Sequence, residues 1–437
     1  MTSIAPNPLG ETRRPPASPG AYAWAVVAML WAVGMLNYFD RLLITTMRDP
    51  IRADISMTDA QFGLLTSMFL WVYAATSPLG GWVADRFNKS LVIAASLLFW
   101  SAAMYCTGFA RNFPQLLLGR GLMGLSEACY LPAALAIICD YHRGPTRSFA
   151  TGLHMSGITV GAALGGIGGI LSEHFGWRAA FHGLGLAGVA YGIVVLCTLR
   201  DSKPRTNAPA NPNGEVGQPN LGAALQSLFV DRAFLVLIAV NALVGMVNWA
   251  MYGWLPTYLE GHFRLGIGTA GLSATTYVQA AAFIGVFVGG WWADRWSRTN
   301  PLARRRTPGF TYILAGPCLL VTASTGMLAP AIAGLVVAGL ARGVFDANHM
   351  PILREVADER FSATGFGILN LVSCVTGGLM VYAAGLALDT HIDLSRIFQV
   401  CAAALPVIGI LLLLLGRSSA RAAPGVPPSL LGRGERN

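Results

Sequence analysis

Twelve apolar runs punctuate the chain, at 21–47, 60–83, 90–109, 113–139, 149–171, 179–199, 233–259, 270–292, 309–328, 330–352, 363–386 and 397–415. About 20 apolar residues in a helix cross the hydrocarbon core of a bilayer. The pattern therefore predicts an all-α membrane protein of about twelve transmembrane helices. The polar loops between the runs alternate in charge. One set holds Arg86 and Lys89, Arg143 and Arg147, Arg200 with Lys203 and Arg205, Arg295 with Arg298 and Arg304 to Arg306, and Arg354 and Arg360. The other set holds Asp49, Asp54 and Asp59 against Arg48 and Arg52, then Arg111, then Glu173 and Arg178, then Glu260 and Arg264. Lys and Arg collect on the cytoplasmic side. Both tails, 1–20 and 417–437, are basic as well. The expectation is a multi-pass protein of the inner cell membrane with both termini cytoplasmic. The first tail has no apolar region of its own and reads as a cytosolic tail rather than a signal peptide.

Composition agrees with this picture. Of the 437 residues, 54% are hydrophobic and 12% charged, where a soluble chain carries about a quarter charged. The bilayer must solvate the excess apolar surface. The 51 glycines suit close helix contacts in lipid. A net charge of +9 follows from the loop topology and does not require a nucleic-acid partner. None of the seven cysteines forms a CxxC pair, so they read as packing residues, not metal ligands or disulfides. There is no GxxxxGK[ST], HExxH or nucleotide fingerprint in context. The chain is expected to be no enzyme, to need no cofactor or metal, and to act as a monomer.

The chain repeats itself. Gly80-Gly81-Trp82-Val83-Ala84-Asp85-Arg86 recurs as Gly289-Gly290-Trp291-Trp292-Ala293-Asp294-Arg295. Ala150-Thr151-Gly152 recurs as Ala363-Thr364-Gly365, and Arg120-Gly121 as Arg342-Gly343. A Pro-, Asn- and Gly-rich stretch from Asp201 to Asn220 lies between the copies. This divides the chain into a six-helix bundle (21–200), a cytoplasmic linker (201–232) and a second six-helix bundle (233–416). Internal repeats of this kind mark secondary transporters, whose site lies near the bilayer midplane between them.

Charges inside the runs are the candidate chemistry. Asn37-Tyr38-Phe39-Asp40-Arg41 sets a carboxylate beside a guanidinium within the first run, and Glu127 lies in the middle of the fourth. An ionisable group at a helix centre costs about 2.5–3.5 kcal/mol on insertion scales and is functional by default. Successive helical residues point about 100° apart, so Asp40 and Arg41 can face different neighbours. A carboxyl shielded from water can carry a proton. The trio Asp40, Arg41 and Glu127 sums to −1 with both acids ionised and +1 with both protonated, so protonation favours an anion. His154, Asn248, Gln279, Asp346 and Asn348 are further polar groups in the runs and candidates for a cavity wall. Arg342 and Asp346, four apart, are spaced to pair on one helix face. Asp85-Arg86 and Asp294-Arg295, repeated at the loop ends, read as a conformational latch using ion pairs with helix ends such as Glu355 or Arg147.

Gly81-x-x-Ala84-Asp85-Arg86 with Asn88-Lys89 resembles the loop signature of the major facilitator superfamily, with Asn88 and Lys89 in place of the usual glycine and arginine. Asn37-Tyr38-x-Asp40-Arg41, Gly124-x-x-Glu127-Ala128, Asp346-Ala347-Asn348-x-Met350-Pro351 and Thr364-Gly365-x-Gly367-x-x-Asn370 resemble its anion:cation symporter branch. That resemblance implies proton-coupled symport of a sugar acid or other small carboxylate. It implies proton coupling by Asp40 and Glu127, and substrate binding by Arg41, Tyr38, Tyr73 and Asn370. Leu164 before Gly165, where antiporters carry proline, also points to symport. Arg120-Gly121-Leu122-Met123-Gly124 with Glu127, Ala128 and Tyr130 equally resembles the Spinster branch. The alternative expectation is a proton-coupled lysolipid exporter.

Overall fold

A computed structural model describes residues 20–142, 146–201, 221–357 and 361–415. The tails and most of the linker lie outside the described residues. The elements in order are α1 (Ala21–Leu43), a 3-10 turn (Ile44–Thr46), α2 (Arg48–Asp54), α3 (Asp59–Arg86), α4 (Lys89–Thr107), α5 (Phe113–Glu127), α6 (Tyr130–Tyr141), α7 (Arg147–Leu164), α8 (Ile167–Phe175), α9 (Trp177–Thr198), α10 (Leu221–Val230), α11 (Arg232–Phe263), α12 (Ile267–Ser297), α13 (Ala303–Thr322), α14 (Leu328–Val356), α15 (Ser362–Asp389) and α16 (Leu394–Leu414). No strand occurs among the described residues.

Ten of these elements, counting α5 with α6 as one, are long and apolar enough to cross a membrane. The pair α7 and α8, bent by 45°, makes an eleventh. The run expected at 309–328 is α13, which begins six residues earlier and takes Arg304, Arg305 and Arg306 into its first turn. That start is polar, yet the helix packs between α14 and α16 as a ninth span would. The linker also differs from expectation at its end. Where the Pro- and Asn-rich composition stops at Asn220, LGAALQSLFV forms α10, because Leu, Ala and Gln, all good helix formers, predominate in it.

Caps fix where the helices begin. Thr58 and Gln61 form a capping box on α3. The side chains of Asn88, Asn112 and Asp393 accept backbone N–H groups at the starts of α4, α5 and α16, satisfying donors that lack intrahelical partners.

The two halves meet along α3 with α15 and along α7 and α8 with α12. Among the described residues the close contacts between them lie on the face where α3 and α12 begin. There Ser67 Oγ donates to Gly378 O at 2.6 Å and Thr275 Oγ1 to Ala163 O at 2.9 Å. A side-chain carbon added to Gly63 would stand 2.7 Å from Val381 O, and one on Gly169 2.7 Å from Ile267 O. Two carboxylates close this face further. Asp389, at the end of α15, accepts the backbone N–H groups of Asp59 and Ala60 at 2.8 and 3.0 Å. Glu173, at the end of α8, accepts Gly268 N–H at 3.0 Å. Each half thus places an acid on the first turn of a helix in the other.

Toward the terminal face no contact between α3 and α15, or between α7 and α12, is as close among the described residues. A carbon added to Gly81, Gly152 or Gly367 would meet nothing within 4 Å. The halves are therefore in close contact on the face where α3 and α12 begin, while these three glycines toward the other face stand clear of neighbours.

Candidate functional site

Asp40 and Arg41 turn to different neighbours. Asp40, 3% exposed, accepts Trp100 Nε1–H from α4 at 3.2 Å through Oδ2. Arg41, 4% exposed, reaches Glu127 on α5, with Nη2 2.8 Å from Oε2. Asn37, one turn before Arg41, completes this set: its Nδ2 donates to the same Glu127 oxygen at 2.9 Å and its Oδ1 accepts Arg41 Nη2 at 3.2 Å. Glu127 is buried at the point where α5 gives way to α6. Three aromatic rings surround the guanidinium. Its carbon lies 4.5 Å from the ring centre of Tyr38, 4.7 Å from Phe69 and 4.8 Å from Tyr73, within cation–π range.

A fourth charge belongs to the cluster. Arg120 is fully buried on α5, two turns before Glu127. Its Nε donates to Leu65 O and its Nη2 to Arg41 O, both at 3.3 Å. It lies within electrostatic reach of Glu127, Arg41 and Asp40. The charge count of the trio is thereby corrected. With Arg120 included, the sum is zero with both acids ionised and +2 with both protonated.

One oxygen of each acid is left over. Asp40 Oδ1 and Glu127 Oε1 are buried and have no hydrogen-bond partner among the described residues. A proton placed on either meets no competing donor.

Facing this cluster, the second half presents an open groove lined by α11, α12, α13, α14 and α16. Asn248, Tyr252 and Arg342 are among its walls. Gln279 reaches it through its Nε2, which donates to Tyr252 OH at 2.8 Å. Arg342 lies 3.6 Å from Asp346 Oδ2, the pairing that their spacing predicts, and its carbon stands 5.0 Å from the Tyr252 ring centre. Tyr38 connects the two walls, standing within electrostatic reach of Arg41 on one side and of Arg342 and Tyr252 on the other. Cys374 on α15 lies near Tyr38 and Tyr73. Half-buried Asn370 is one turn before it, on the same helix face.

Other candidates sit elsewhere. His154 is buried between α7 and α1, where Nδ1 donates to Leu30 O at 3.1 Å and the ring packs against Tyr130. Asn348 donates to Val344 O of its own helix at 2.9 Å. At the terminal face, Asp294 pairs with Arg304 at 2.9 Å and Arg305 with Glu355 at 2.9 Å. Arg147 Nε donates to Cys139 Sγ, Arg86 stacks on Trp82, and Arg295 is exposed. The Asp85 side chain lies outside the described residues. Each of these contacts stays within one half.

Arg120, named above only within a repeat and a motif, joins the site together with Trp100, Phe69 and Tyr252. Arg120 carried a signal: it stands seven residues from Glu127, which puts both on one helix face. Trp100, Phe69 and Tyr252 carried none, because aromatic residues are common throughout such spans.

Comparison with known proteins agrees with the architecture. The model of the Major Facilitator Superfamily matches residues 30–380. A probable sulfoacetate transporter, SauU, of Cupriavidus necator is 26% identical over 82% of this chain and 87% of its own length. The Drosophila melanogaster protein spinster is 25% identical over 73% of this chain, which spans 56% of that protein. The crystal structure of a bacterial homologue of the human lysosomal transporter Spinster, inward-facing and unoccupied, superposes with a TM-score of 0.72 at 22% identity, covering 90% of this chain and 95% of that one. With its two helical halves, its buried charges between them and a family match over most of its length, the chain belongs to the Major Facilitator Superfamily of membrane transporters.

Proposed function

We propose that the protein is a proton-coupled symporter of an organic anion, working by alternating access in the inner membrane. The carrying observation is the buried 2.8 Å pair of Arg41 with Glu127 under three aromatic rings. Glu127 and a substrate anion are alternative partners for the same guanidinium. A proton on Glu127 Oε1 removes the charge that holds Arg41. The guanidinium then takes the anionic group of a substrate, with Tyr38, Tyr73 and Asn370 around it. Proton loss restores the internal pair and expels the anion. Asp40 is the second proton site. With both acids protonated the four-charge cluster carries +2, which attracts an anion; with both ionised it is neutral. Each net charge moved down the membrane potential supplies about 2.3 kcal/mol per 100 mV.

The basic loops make the terminal face cytoplasmic, so the conformation described is open to the cytoplasm. Asp85, Arg86, Asp294 and Arg295 act as the latch that forms when that face closes. The relative named for sulfoacetate, an organic anion, supports the substrate class.

A second reading, export of a lysolipid, draws on the apolar walls of the cavity, where Val247, Met251, Leu255, Val278 and Leu405 predominate, and on the likeness to Spinster proteins. A thermal-shift panel of small carboxylates, sulfonates and lysolipids on the purified protein separates the two. Stabilisation by a small anion that disappears in Arg41→Ala, measured against that variant's own unliganded melting point, supports symport of anions. Stabilisation by lysolipids alone refutes it.

A further inference from the structure

Tyr252 is over-supplied with donors. Its hydroxyl oxygen accepts a hydrogen bond from Gln279 Nε2 at 2.8 Å and another from Arg342 Nη1. A phenol oxygen has two lone pairs and one proton to give. Both lone pairs are engaged, so the proton must be donated away, and no acceptor stands opposite it among the described residues. Arg342 is in similar surplus. Among the described residues its only acidic partner is Asp346, whose side chain is 44% exposed and 3.6 Å away, beyond hydrogen-bond length. Its side chain is 20% exposed and opens onto the same cavity. Asn248 adds another amide to the wall. Immediately beyond these donors the wall becomes apolar, with Val247, Met251, Leu255, Val278 and Leu405.

We infer that Arg342, Tyr252 and Gln279 form an anion subsite on the second half, and that the substrate is an amphiphilic anion: one acidic group on an apolar body. The acidic group, a carboxylate, sulfonate or phosphate ester, takes the Tyr252 proton and the free guanidinium edge. The apolar body lies along the apolar wall that α11, α12 and α14 present to the groove. Asp346 is the stand-in that holds Arg342 while no substrate is bound. The inference rests on the symporter reading, since Arg41 would grip the same anion from the first half, and a single anion bridging Arg41 and Arg342 would draw the halves together. A polyol acid has no use for the apolar wall, which selects against the sugar acids implied by family resemblance.

Binding to the purified full-length protein tests this, with octanoate, phenylacetate, gluconate and lysophosphatidic acid as probes at one fixed pH. Octanoate and phenylacetate bind at least about tenfold tighter than gluconate, because only they bury apolar surface. Tyr252→Phe keeps the ring and weakens octanoate about tenfold, the loss of one charge-assisted hydrogen bond. Asp346→Asn tightens it several-fold, because the internal competitor is gone. That sign is the critical readout, since a purely structural Arg342–Asp346 pair predicts weaker binding or none on loss of Asp346. Lysophosphatidic acid binding more tightly than octanoate, with the same dependence on Tyr252, assigns the acidic group to a lipid and leaves the subsite standing. Gluconate binding as tightly as octanoate, unchanged affinity in both variants, or no anion binding at all overturns it. If the subsite fails while Glu127→Gln still abolishes proton-driven uptake, the symporter reading survives alone; the converse pair of results leaves the subsite and removes the reading.

Discussion

The closed face offers a prediction that can be worked from geometry. Asp389 and Glu173 each place a carboxylate on the first turn of a helix from the other half, α3 and α12 respectively. A negative charge at a helix N-terminus contributes about 0.3–1 kcal/mol when exposed, and both acidic residues are exposed. These contacts exist only while this face is shut, so they bias the alternating equilibrium rather than general stability. Asp389→Asn and Glu173→Gln keep an oxygen acceptor and remove the charge. Each shifts the equilibrium about two- to fivefold toward opening at this face, and the double variant about three- to thirtyfold.

Ser67 is a suitable reporter. It is fully buried and bonded across the halves to Gly378, so Ser67→Cys reacts with a water-soluble maleimide only when the face opens. Exposed Cys106 and Cys197 are replaced by alanine in the background. The labelling rate should rise with the open population: a few-fold in each single variant and more in the double. Rates in all three variants equal to that of the Ser67→Cys parent would show that the two acids do not hold the face closed. A rate rise accompanied by a matching fall in melting temperature would show a loss of structure instead.

Further outcomes follow from packing and charge. Gly63→Ala, which sets a carbon against Val381 O, should speed labelling at the same reporter. Gly81→Val, which meets open space in this state, should leave the melting temperature within about 1 °C and stop uptake by preventing closure of the terminal face, as a transport assay beside a melting curve would show. Arg120→Gln leaves Asp40 and Glu127 with one cation fewer in a buried cluster. Removing one partner from a buried charge set costs about 3–5 kcal/mol, so this variant should unfold at clearly lower denaturant or temperature in detergent, whereas Arg304→Gln, whose pair is solvent-exposed, should change stability by less than about 1 kcal/mol.

The all-helical membrane fold and the burial of the charges are legible in the sequence because each rests on a strong, local signal: apolar run length, and an ionisable residue where none belongs. The divergence of Asp40 from Arg41 also follows from helical geometry alone. What could not be read was set by packing between distant segments. Arg41 is engaged by Glu127 and Asn37 rather than open to the cavity, and the cavity's accessible cation is Arg342, which its spacing to Asp346 made look purely structural. His154 and Asn348 are polar groups absorbed by carbonyls of the packed helices. The acids that close one face, Asp389 and Glu173, lie at the ends of runs, where charge is ordinary; only the meeting of α15 with α3 and of α8 with α12 gives them a role.

In the proposed cycle a proton on Glu127 breaks its pair with Arg41 and so couples proton movement to anion transport. Proteoliposomes separate this coupling from binding, by comparing uptake of a stabilising anion under an inward proton gradient with exchange of the same anion across equal pH. Glu127→Gln mimics the protonated side chain and cannot lose its proton. Gradient-driven accumulation should be abolished in this variant while exchange continues. Accumulation above equilibrium in Glu127→Gln, at a rate close to that of the native protein, would contradict it.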